Sequence, residues 1–365
     1  MNERLILMTK RLFRELFSRQ RPGVRRSSGA FERFTAFGKL QRAGALQDAL
    51  ALMLIACVMA AVLPMQAQWE ALPALPEPNG GFICGVAGGR IVVAGGTNWE
   101  GGKKNWLKTV HLFDEERRQW STRADWEVKR AYGVCFQDDR GMLIAGGSDG
   151  ASPVRCLVSL DGVNQGMTKD NDLPANFVLS AGGRVGKKFY VVGGTDDAAN
   201  IAGITGTTHV ISSSGKAERL ADYPGKPFAV AASAVVGEGL FVFGGMNYDE
   251  ASKAPVNATE AHAFSPAKNS WRKLEPLAVA NRGLTAVTLD ERHIYLAGGY
   301  TDDFTADAVI YDVKADSYRK AKPLPYAAMV ALVKHEGFIY CLGGEDKKQS
   351  RTDKFYRIPV AELLK

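Results

Sequence analysis

The segment HIYLAGG, residues 293–299, sets the pattern of this chain: a short run rich in β-branched and aromatic residues ends on two glycines. Similar runs end on glycine pairs at five further places, and the six pairs are Gly95-Gly96, Gly146-Gly147, Gly193-Gly194, Gly244-Gly245, Gly298-Gly299 and Gly343-Gly344. Successive pairs lie roughly 50 residues apart. Internal similarity at a period of this size indicates a repeat architecture.

Each repeat contains the same series of predicted strands. A second apolar run precedes the one that ends on the glycine pair, and the two are joined by a tight turn such as residues 87–89. A variable loop and a third strand follow, for example VHLFD at 110–114, and a fourth strand is marked by Trp120, Trp271 or Tyr318. Four antiparallel strands per repeat predict an all-β fold, a six-bladed kelch-type β-propeller.

The two ends of the body predict how the ring closes. The sixth repeat ends after its third strand with IPVAELLK, residues 358–365, and so lacks an outer strand. A segment of the missing type, QWEALP at 68–73, stands before the first repeat. We expect residues 68–76 to complete blade six, so that the propeller spans residues 68–365.

Residues 1–67 differ from this body in charge. They contain 11 Lys and Arg against 4 Asp and Glu, whereas residues 68–365 carry 35 of each sign. The net charge of +7 therefore belongs to the leader, and the body is not expected to bind nucleic acid.

The leader contains an uninterrupted apolar run at residues 49–63, with Ala67 as a candidate position for cleavage. A run of this length is typical of a secretory signal, which predicts an exported, periplasmic protein. A lipid anchor at Cys57 or a single membrane anchor, with the body outside the inner membrane, is the alternative.

Comparison of the repeats singles out one pair of side chains. The glycine pairs are followed by Thr97, Ser148, Thr195, Met246, Tyr300 and Glu345, and the sixth is the sole carboxylate in this row. Arg351 follows six residues after Glu345 in a short loop. We expect both at one mouth of the central channel; a solvated surface pair is the alternative.

Three further polar residues are weaker candidates for ligand contacts. Arg130 and Arg282 each stand sixteen residues before a glycine pair and are expected to point at the same mouth, unless they brace neighbouring blades. Asn98 belongs to a row of short polar residues that is also typical of turns. No spacing of His and Cys resembles a metal site, so neither a metal nor a cofactor is expected.

The body resembles the bacterial N-acetylneuraminate epimerases, or sialic acid mutarotases, which are built on a six-bladed kelch propeller. Residues 80–120 and 129–150, the latter beginning KRAYGV, resemble two consecutive blades that stand late in familiar members. Here they stand first, so the chain resembles a cyclically permuted branch. Residues 342–358, LGGEDKKQSRTDKFYRI, resemble the family segment G-E-x5-R-T-D, whose glutamate and arginine are functional.

This resemblance implies an isomerase that interconverts the α and β anomers of N-acetylneuraminate, a small anionic sugar. It carries the functional pair over to Glu345 as acid/base and Arg351 as a clamp for the substrate carboxylate. Arg130, Arg282 and Asn98 are expected to add substrate contacts. The competing hypothesis is a non-catalytic kelch propeller that binds a protein or glycan partner, and the oligomeric state is left open.

Overall fold

A computed structural model of the protein describes residues 68–123, 126, 128–138, 141–152, 154–161 and 173–365. The leader lies outside these residues, so its assignment remains a prediction. Within them six antiparallel sheets, one for each repeat, are arranged as a ring, which confirms the six-bladed β-propeller. The part of the chain that the structure describes contains no helix long and apolar enough to cross a membrane.

The blades follow one another along the chain, each with its strands in antiparallel order. Blade one consists of β2 (Ile83–Ala87), β3 (Arg90–Ala94), β6 (Val110–Asp114) and β7 (Gln119–Arg123). Blade two has three described strands, β8 (Val134–Gln137), β9 (Gly141–Ala145) and β10 (Leu157–Asp161). Blade three consists of β11 (Ala181–Val185), β12 (Lys188–Val192), β13 (Thr208–Ile211) and β14 (Ala217–Arg219).

The second half of the ring repeats this arrangement. Blade four consists of β15 (Ala232–Val236), β16 (Gly239–Phe243), β19 (Ala261–Ser265) and β20 (Ser270–Lys273). Blade five consists of β21 (Thr285–Thr288), β22 (His293–Ala297), β23 (Ala308–Asp312) and β24 (Ser317–Lys320). Blade six consists of β25 (Met329–His335), β26 (Phe338–Glu345), β27 (Phe355–Pro359) and β1 (Glu70–Ala71).

The innermost strands close the ring. In the order β2, β8, β11, β15, β21 and β25, each contacts the next, and β25 contacts β2. An apolar cluster fills every gap between neighbouring blades; between blades one and two, for instance, Val92 packs with Met142 and Ile144. Removal of this apolar surface from water is what holds the blades together.

The prediction that the segment after the leader completes blade six is confirmed. In β1, Glu70 pairs with Arg357 and Ala71 with Tyr356 of β27. The backbone N–H of Leu72 then donates to the carbonyl of Phe355 at 2.9 Å, so pairing continues past the end of β1.

Aromatic side chains of the outer strands fasten each of four blades to the one before it. In every case an indole N–H or phenol O–H donates to a backbone carbonyl of the preceding blade at 2.8–2.9 Å. The pairs are Trp69 with Pro323, Trp120 with Pro73, Trp271 with Ala221 and Tyr318 with Glu275. Trp69 therefore plays the same part in blade six as its counterparts do elsewhere.

Two loops contain strands that the sequence did not predict. After the glycine pairs of blades one and four the chain forms small hairpins, β4 (Thr97–Glu100) with β5 (Lys103–Trp106), and β17 (Met246–Asp249) with β18 (Ala254–Asn257). The first turns at Gly101 and Gly102, both in the left-handed region that favours glycine. Helical structure in the described residues is limited to a 3₁₀ turn at Ile201–Gly203 and α1 (Val360–Leu363).

Candidate active site

A cavity of about 260 Å³ lies at one mouth of the central channel. All six blades line it with the residues that open their innermost strands, including Phe82, Gly133, Ser180, Ala231, Thr285 and Ala331. Its volume approaches the range of roughly 300–1,000 Å³ that is usual for small-molecule sites. A compact ligand, rather than a polymer, fits the space.

An unusual backbone arrangement surrounds this cavity. The N–H groups of Tyr132, Leu179, Val230 and Gly283 each donate to a carbonyl of the preceding blade at 2.8–3.0 Å, so the hydrogen bonds run from blade to blade around the mouth. All four residues have φ between 55° and 65°. Residues other than glycine rarely adopt this conformation, and such strain concentrates at functional sites.

Glu345 is positioned by an irregular strand pair in blade six. Here β26 continues through the glycine pair, and Glu345 itself pairs with Met329 of β25 across a β-bulge. The bulge lengthens the ladder to the cavity rim and orients the side chain at its end. Glu345 lines the cavity and its side chain is 31% exposed, so solvent or a ligand can reach the carboxylate.

Arg351 lines the same cavity and forms an ion pair with Glu345, with 3.1 Å between its Nη1 and Oε2 of the carboxylate. Its side chain is 5% exposed. The guanidinium also donates from Nη1 to the carbonyl of Ser350 at 2.7 Å and from Nε to Oγ1 of Thr97 at 3.3 Å. The arginine is therefore fixed in place by three contacts. The structure brings the two predicted residues together, and their chemical roles remain predictions.

Tyr132 is a third titratable side chain at the cavity, and the sequence reading did not single it out. Its hydroxyl lies 3.4 Å from Oγ1 of Thr97, the atom that accepts the Arg351 hydrogen bond. The ammonium of Lys104 lies 4.9 Å from the ring centre. The sequence does contain a signal for it. The equivalent positions of blades one, three and four are Gly81, Leu179 and Val230, and Tyr132 of blade two is the tyrosine in this series.

Arg130 lies outside the lining of this cavity. Its side chain is buried, with 1% of the residue exposed, and its guanidinium lies 5.8 Å above the ring of Trp126. Nη2 donates to the carbonyl of Cys156 at 3.3 Å and also contacts the thiol sulfur. Burial lowers the pKa of the guanidinium. These contacts join blades one and two, as the bracing alternative expects.

Arg130 and Arg282 do not occupy equivalent positions, although both stand sixteen residues before a glycine pair. The hairpin of β21 and β22, which follows Arg282, contains one more residue than the hairpin of β8 and β9, which follows Arg130. The counterpart of Arg130 is Asn281, because its carbonyl accepts from Gly245 as that of Arg130 accepts from Gly96. The expectation of a shared register was wrong for this reason.

Neither Arg282 nor Asn98 lines the cavity. The Arg282 guanidinium stacks over Tyr300 at 4.6 Å and donates to Oδ1 of Asn257 at 3.2 Å. Asn98 lies in β4 and accepts a hydrogen bond from Asn105 at 3.1 Å. Substrate contacts by these residues remain predictions.

No group of three or more His, Cys, Asp and Glu side chains among the described residues is arranged to hold a metal ion. Cys84 and Cys135, which share a register on neighbouring blades, are free thiols. Burial raises the pKa of the Cys84 thiol to about 12.

The closed ring of six short antiparallel sheets, with a glycine pair at the end of each second strand, defines a kelch-type β-propeller, and a cavity of about 260 Å³ lies at its mouth. Comparison with known proteins agrees with this class. The model of the N-acetylneuraminate epimerase family matches residues 171–323.

The similar individual proteins are of two kinds, N-acetylneuraminate epimerases and a kelch-like protein. The chain is 25% identical over 177 residues to an N-acetylneuraminate epimerase of Salmonella enteritidis PT4, and 26% identical over 177 residues to one of Salmonella typhi. Each alignment covers 38% of this chain and spans about half, 46%, of the relative's length. Kelch-like protein 36 of Rattus norvegicus is 25% identical over 309 residues, covering 79% of this chain and 47% of that protein.

These matches confirm the resemblance to N-acetylneuraminate epimerases that the sequence motifs indicated. The family match at residues 171–323 lies in blades three to five and ends before Glu345 and Arg351. The similarity to the kelch-like protein extends over more of the chain than the similarity to the epimerases does.

Proposed function

We propose that this protein is a sialic acid mutarotase, an isomerase that interconverts the α and β anomers of N-acetylneuraminate. The observation that carries the proposal is the ion pair of Glu345 and Arg351 inside the cavity. The similarity to named N-acetylneuraminate epimerases supports it.

The reaction needs a group that moves a proton and a group that holds an anion. Removal of the proton from the anomeric hydroxyl, with protonation of the ring oxygen, opens the ring; closure on the other face gives the second anomer. Glu345 is the general base that takes this proton and later returns it. Arg351 offers a planar guanidinium to the carboxylate that sialic acid bears on its anomeric carbon.

The proposal is tested with the purified protein and freshly released α-N-acetylneuraminate. Proton NMR follows the approach to the anomeric equilibrium, and the uncatalysed rate is subtracted. We expect the protein to accelerate this approach. Glu345→Gln keeps the shape and hydrogen-bonding capacity of the side chain but cannot accept the proton, so kcat should fall about 10²–10⁴-fold.

A matched control is Glu238→Gln, since Glu238 is exposed in the turn between β15 and β16, away from the cavity. It should retain the full rate. A Glu345→Gln protein that equilibrates the anomers as fast as the unmodified protein would contradict the assignment of the base.

Arg351→Lys tests the clamp separately. Lysine retains the charge but loses the fork of N–H groups that matches a carboxylate. We expect KM to rise about tenfold or more. An unchanged KM would argue that another group binds the substrate carboxylate.

A non-catalytic binding protein is the second candidate, and the similarity to Kelch-like protein 36 over most of the chain favours it. That function has no use for a proton-transfer group in the cavity. It predicts no acceleration of anomer exchange, together with partner binding that survives Glu345→Gln.

We also propose that the protein acts outside the cytoplasm. The apolar run at residues 49–63 and the first propeller strand, Glu70–Ala71, which begins shortly after the candidate cleavage position at Ala67, support export. N-terminal sequencing of the protein recovered from the periplasm of an expressing cell should give a chain that begins near Gln68.

A further inference from the structure

Ring opening moves two protons, and Glu345 accounts for one of them, the proton of the anomeric hydroxyl. The anomeric hydroxyl loses a proton while the ring oxygen gains one. Among the described residues that line the cavity, the titratable side chains are Tyr132, Glu345 and Arg351. Arg351 is an ion-pair partner and remains protonated in proteins. Tyr132 is therefore the candidate for the second proton.

The backbone holds the phenol at the cavity. Tyr132 has φ of 62°, a conformation that residues other than glycine rarely adopt, and its N–H donates to the carbonyl of Gly81 at 2.8 Å. Gly81 also makes room for the ring, since a Cβ on this residue would stand 2.2 Å from Cε1 of Tyr132. Trp106 packs edge-on against the ring at 5.5 Å. The side chain is thus fixed on several sides.

Two positive charges act on the phenol oxygen. Burial alone would raise the pKa of Tyr132, but the charge and hydrogen bond of Lys104, the hydrogen bond of Thr97 and the charge of Arg351 together lower it below its usual value. Lys104 is itself placed by stacking over both Tyr132 and Trp106, 4.9 Å from each ring centre. A phenol in these surroundings is a stronger acid than free tyrosine, and its phenolate is stabilised.

We propose that Tyr132 is the general acid of anomer exchange, paired with Glu345 as the base and assisted by Lys104; this rests on the proposed mutarotase function. As the anomeric O–H proton passes to the Glu345 carboxylate, the bond between the anomeric carbon and the ring oxygen breaks, and the Tyr132 O–H proton passes to that oxygen. The open-chain keto acid then faces a protonated Glu345 and a Tyr132 phenolate. Closure on the other face returns both protons, so the protein ends unchanged.

Tyr132→Phe tests this role, because it removes the hydroxyl and keeps the ring. We expect kcat to fall about a hundredfold or more, with a smaller change in KM. Tyr356→Phe is the matched control: Tyr356 lies in β27 against Tyr326, outside the cavity, and should keep the full rate.

The pH profile separates an acid from a merely structural phenol. A general acid must be protonated, so activity should fall on the alkaline side with the ionisation of Tyr132, below the ordinary tyrosine value of 10.0. Lys104→Met removes a nearby positive charge, so the alkaline limb of the pH profile, where activity falls, should move to higher pH. Ultraviolet difference spectra of Tyr132→Phe against the unmodified protein should show phenolate forming over the same pH range.

The outcomes are distinct. If the unmodified protein does not accelerate anomer exchange, the proposed function fails, and this inference fails with it. If the unmodified protein is active but Tyr132→Phe is equally active, or if Lys104→Met leaves the alkaline limb in place, the mutarotase proposal stands and the acid role of Tyr132 is overturned.

Discussion

Arg351 and Tyr132 occupy space that exists because Gly80 and Gly81 have no side chains. A Cβ on Gly80 would stand 2.3 Å from Cδ of Arg351, and one on Gly81 would stand 2.2 Å from the Tyr132 ring. Contacts this short require one partner to move. The two adjacent glycines are therefore part of the site, although neither can take part in its chemistry.

Gly80→Ala should disturb the site with little effect on the fold. Gly80 has no positive φ, so alanine suits its backbone, but the new methyl group must displace the middle of the Arg351 side chain. We expect the ion pair with Glu345 to shift and kcat/KM to fall about tenfold or more, since misplacement by an ångström commonly costs that much. NMR of anomer exchange measures the loss.

Gly206→Ala is the corresponding control. A Cβ there would meet its nearest neighbour, the carbonyl of Tyr223, at an ordinary 3.5 Å. It should keep both activity and melting temperature. Equal activity in the Gly80 and Gly206 variants would show that Arg351 tolerates displacement.

The sequence predicted those site residues that differ from their counterparts in the other repeats. Glu345 differs in charge from every counterpart in its row, and the structure places it beside Arg351. Tyr132 was missed because its importance depends on Lys104, which approaches it from an unpredicted hairpin. For Arg130 the sequence left both bracing and a ligand contact open, because spacing alone does not reveal that the side chain is buried beside Trp126.

The outer strand of blade six depends on very short pairing. β1 has two residues, Glu70 and Ala71, and Trp69 supports it from the side. The indole packs against the apolar cluster between blades five and six and donates to Pro323 at 2.8 Å. The Glu70 carboxylate adds ion pairs with Arg357 and Arg118, and these lower the pKa of Glu70.

Substitution of Trp69 should therefore weaken closure in two steps. Trp69→Phe removes the hydrogen bond and should cost about 1 kcal/mol in the free energy of unfolding. Trp69→Ala also removes the packing and should cost about 2–4 kcal/mol. Chemical denaturation measures both. Equal stability of the two variants would mean that packing of the ring contributes nothing to closure.

The elements themselves were largely predictable: the third strand predicted at 110–114 coincides with β6, and its counterparts in the other repeats are β10, β13, β19, β23 and β27. The exceptions are local insertions. The extra residue between β21 and β22 shifts Arg282 out of the register of Arg130, and the bulge beside Met329 extends β26 to Glu345. The apolar runs of the sequence do not reveal single extra residues at a turn or a bulge such as these.

The neutral body contains two histidines that make its stability depend on pH: His262, which is buried, and His209, which is half-buried. Burial lowers the pKa of both His209 and His262 below the ordinary 6.5, and the Nδ1 atom of His262 lies 2.8 Å from the Tyr223 hydroxyl. In the unfolded chain both rings take up a proton as the pH falls through 6.5, whereas in the folded protein they remain neutral to lower pH. Their contribution to stability is therefore complete above pH 6.5 and is lost below it.

We expect the free energy of unfolding to fall between pH 7.5 and pH 5.5, with each histidine contributing at most about 1.4 kcal/mol per pH unit. The variant with both His209→Gln and His262→Gln should show a smaller slope over this interval, even if its stability is lower throughout. Denaturation at a series of pH values gives the slope directly. An identical slope in the variant would place the pH dependence elsewhere.

The pairing of Glu70 with Arg357 joins residues separated by 287 positions along the chain. In an otherwise unfolded chain, closing a loop of that length costs about 5 kcal/mol in conformational entropy. Blades one to five, once folded, already curve back on themselves and bring these ends within reach. We therefore expect ring closure to be the last step of folding, because the segment around Trp69 has no strand to pair with until blade six has been synthesised.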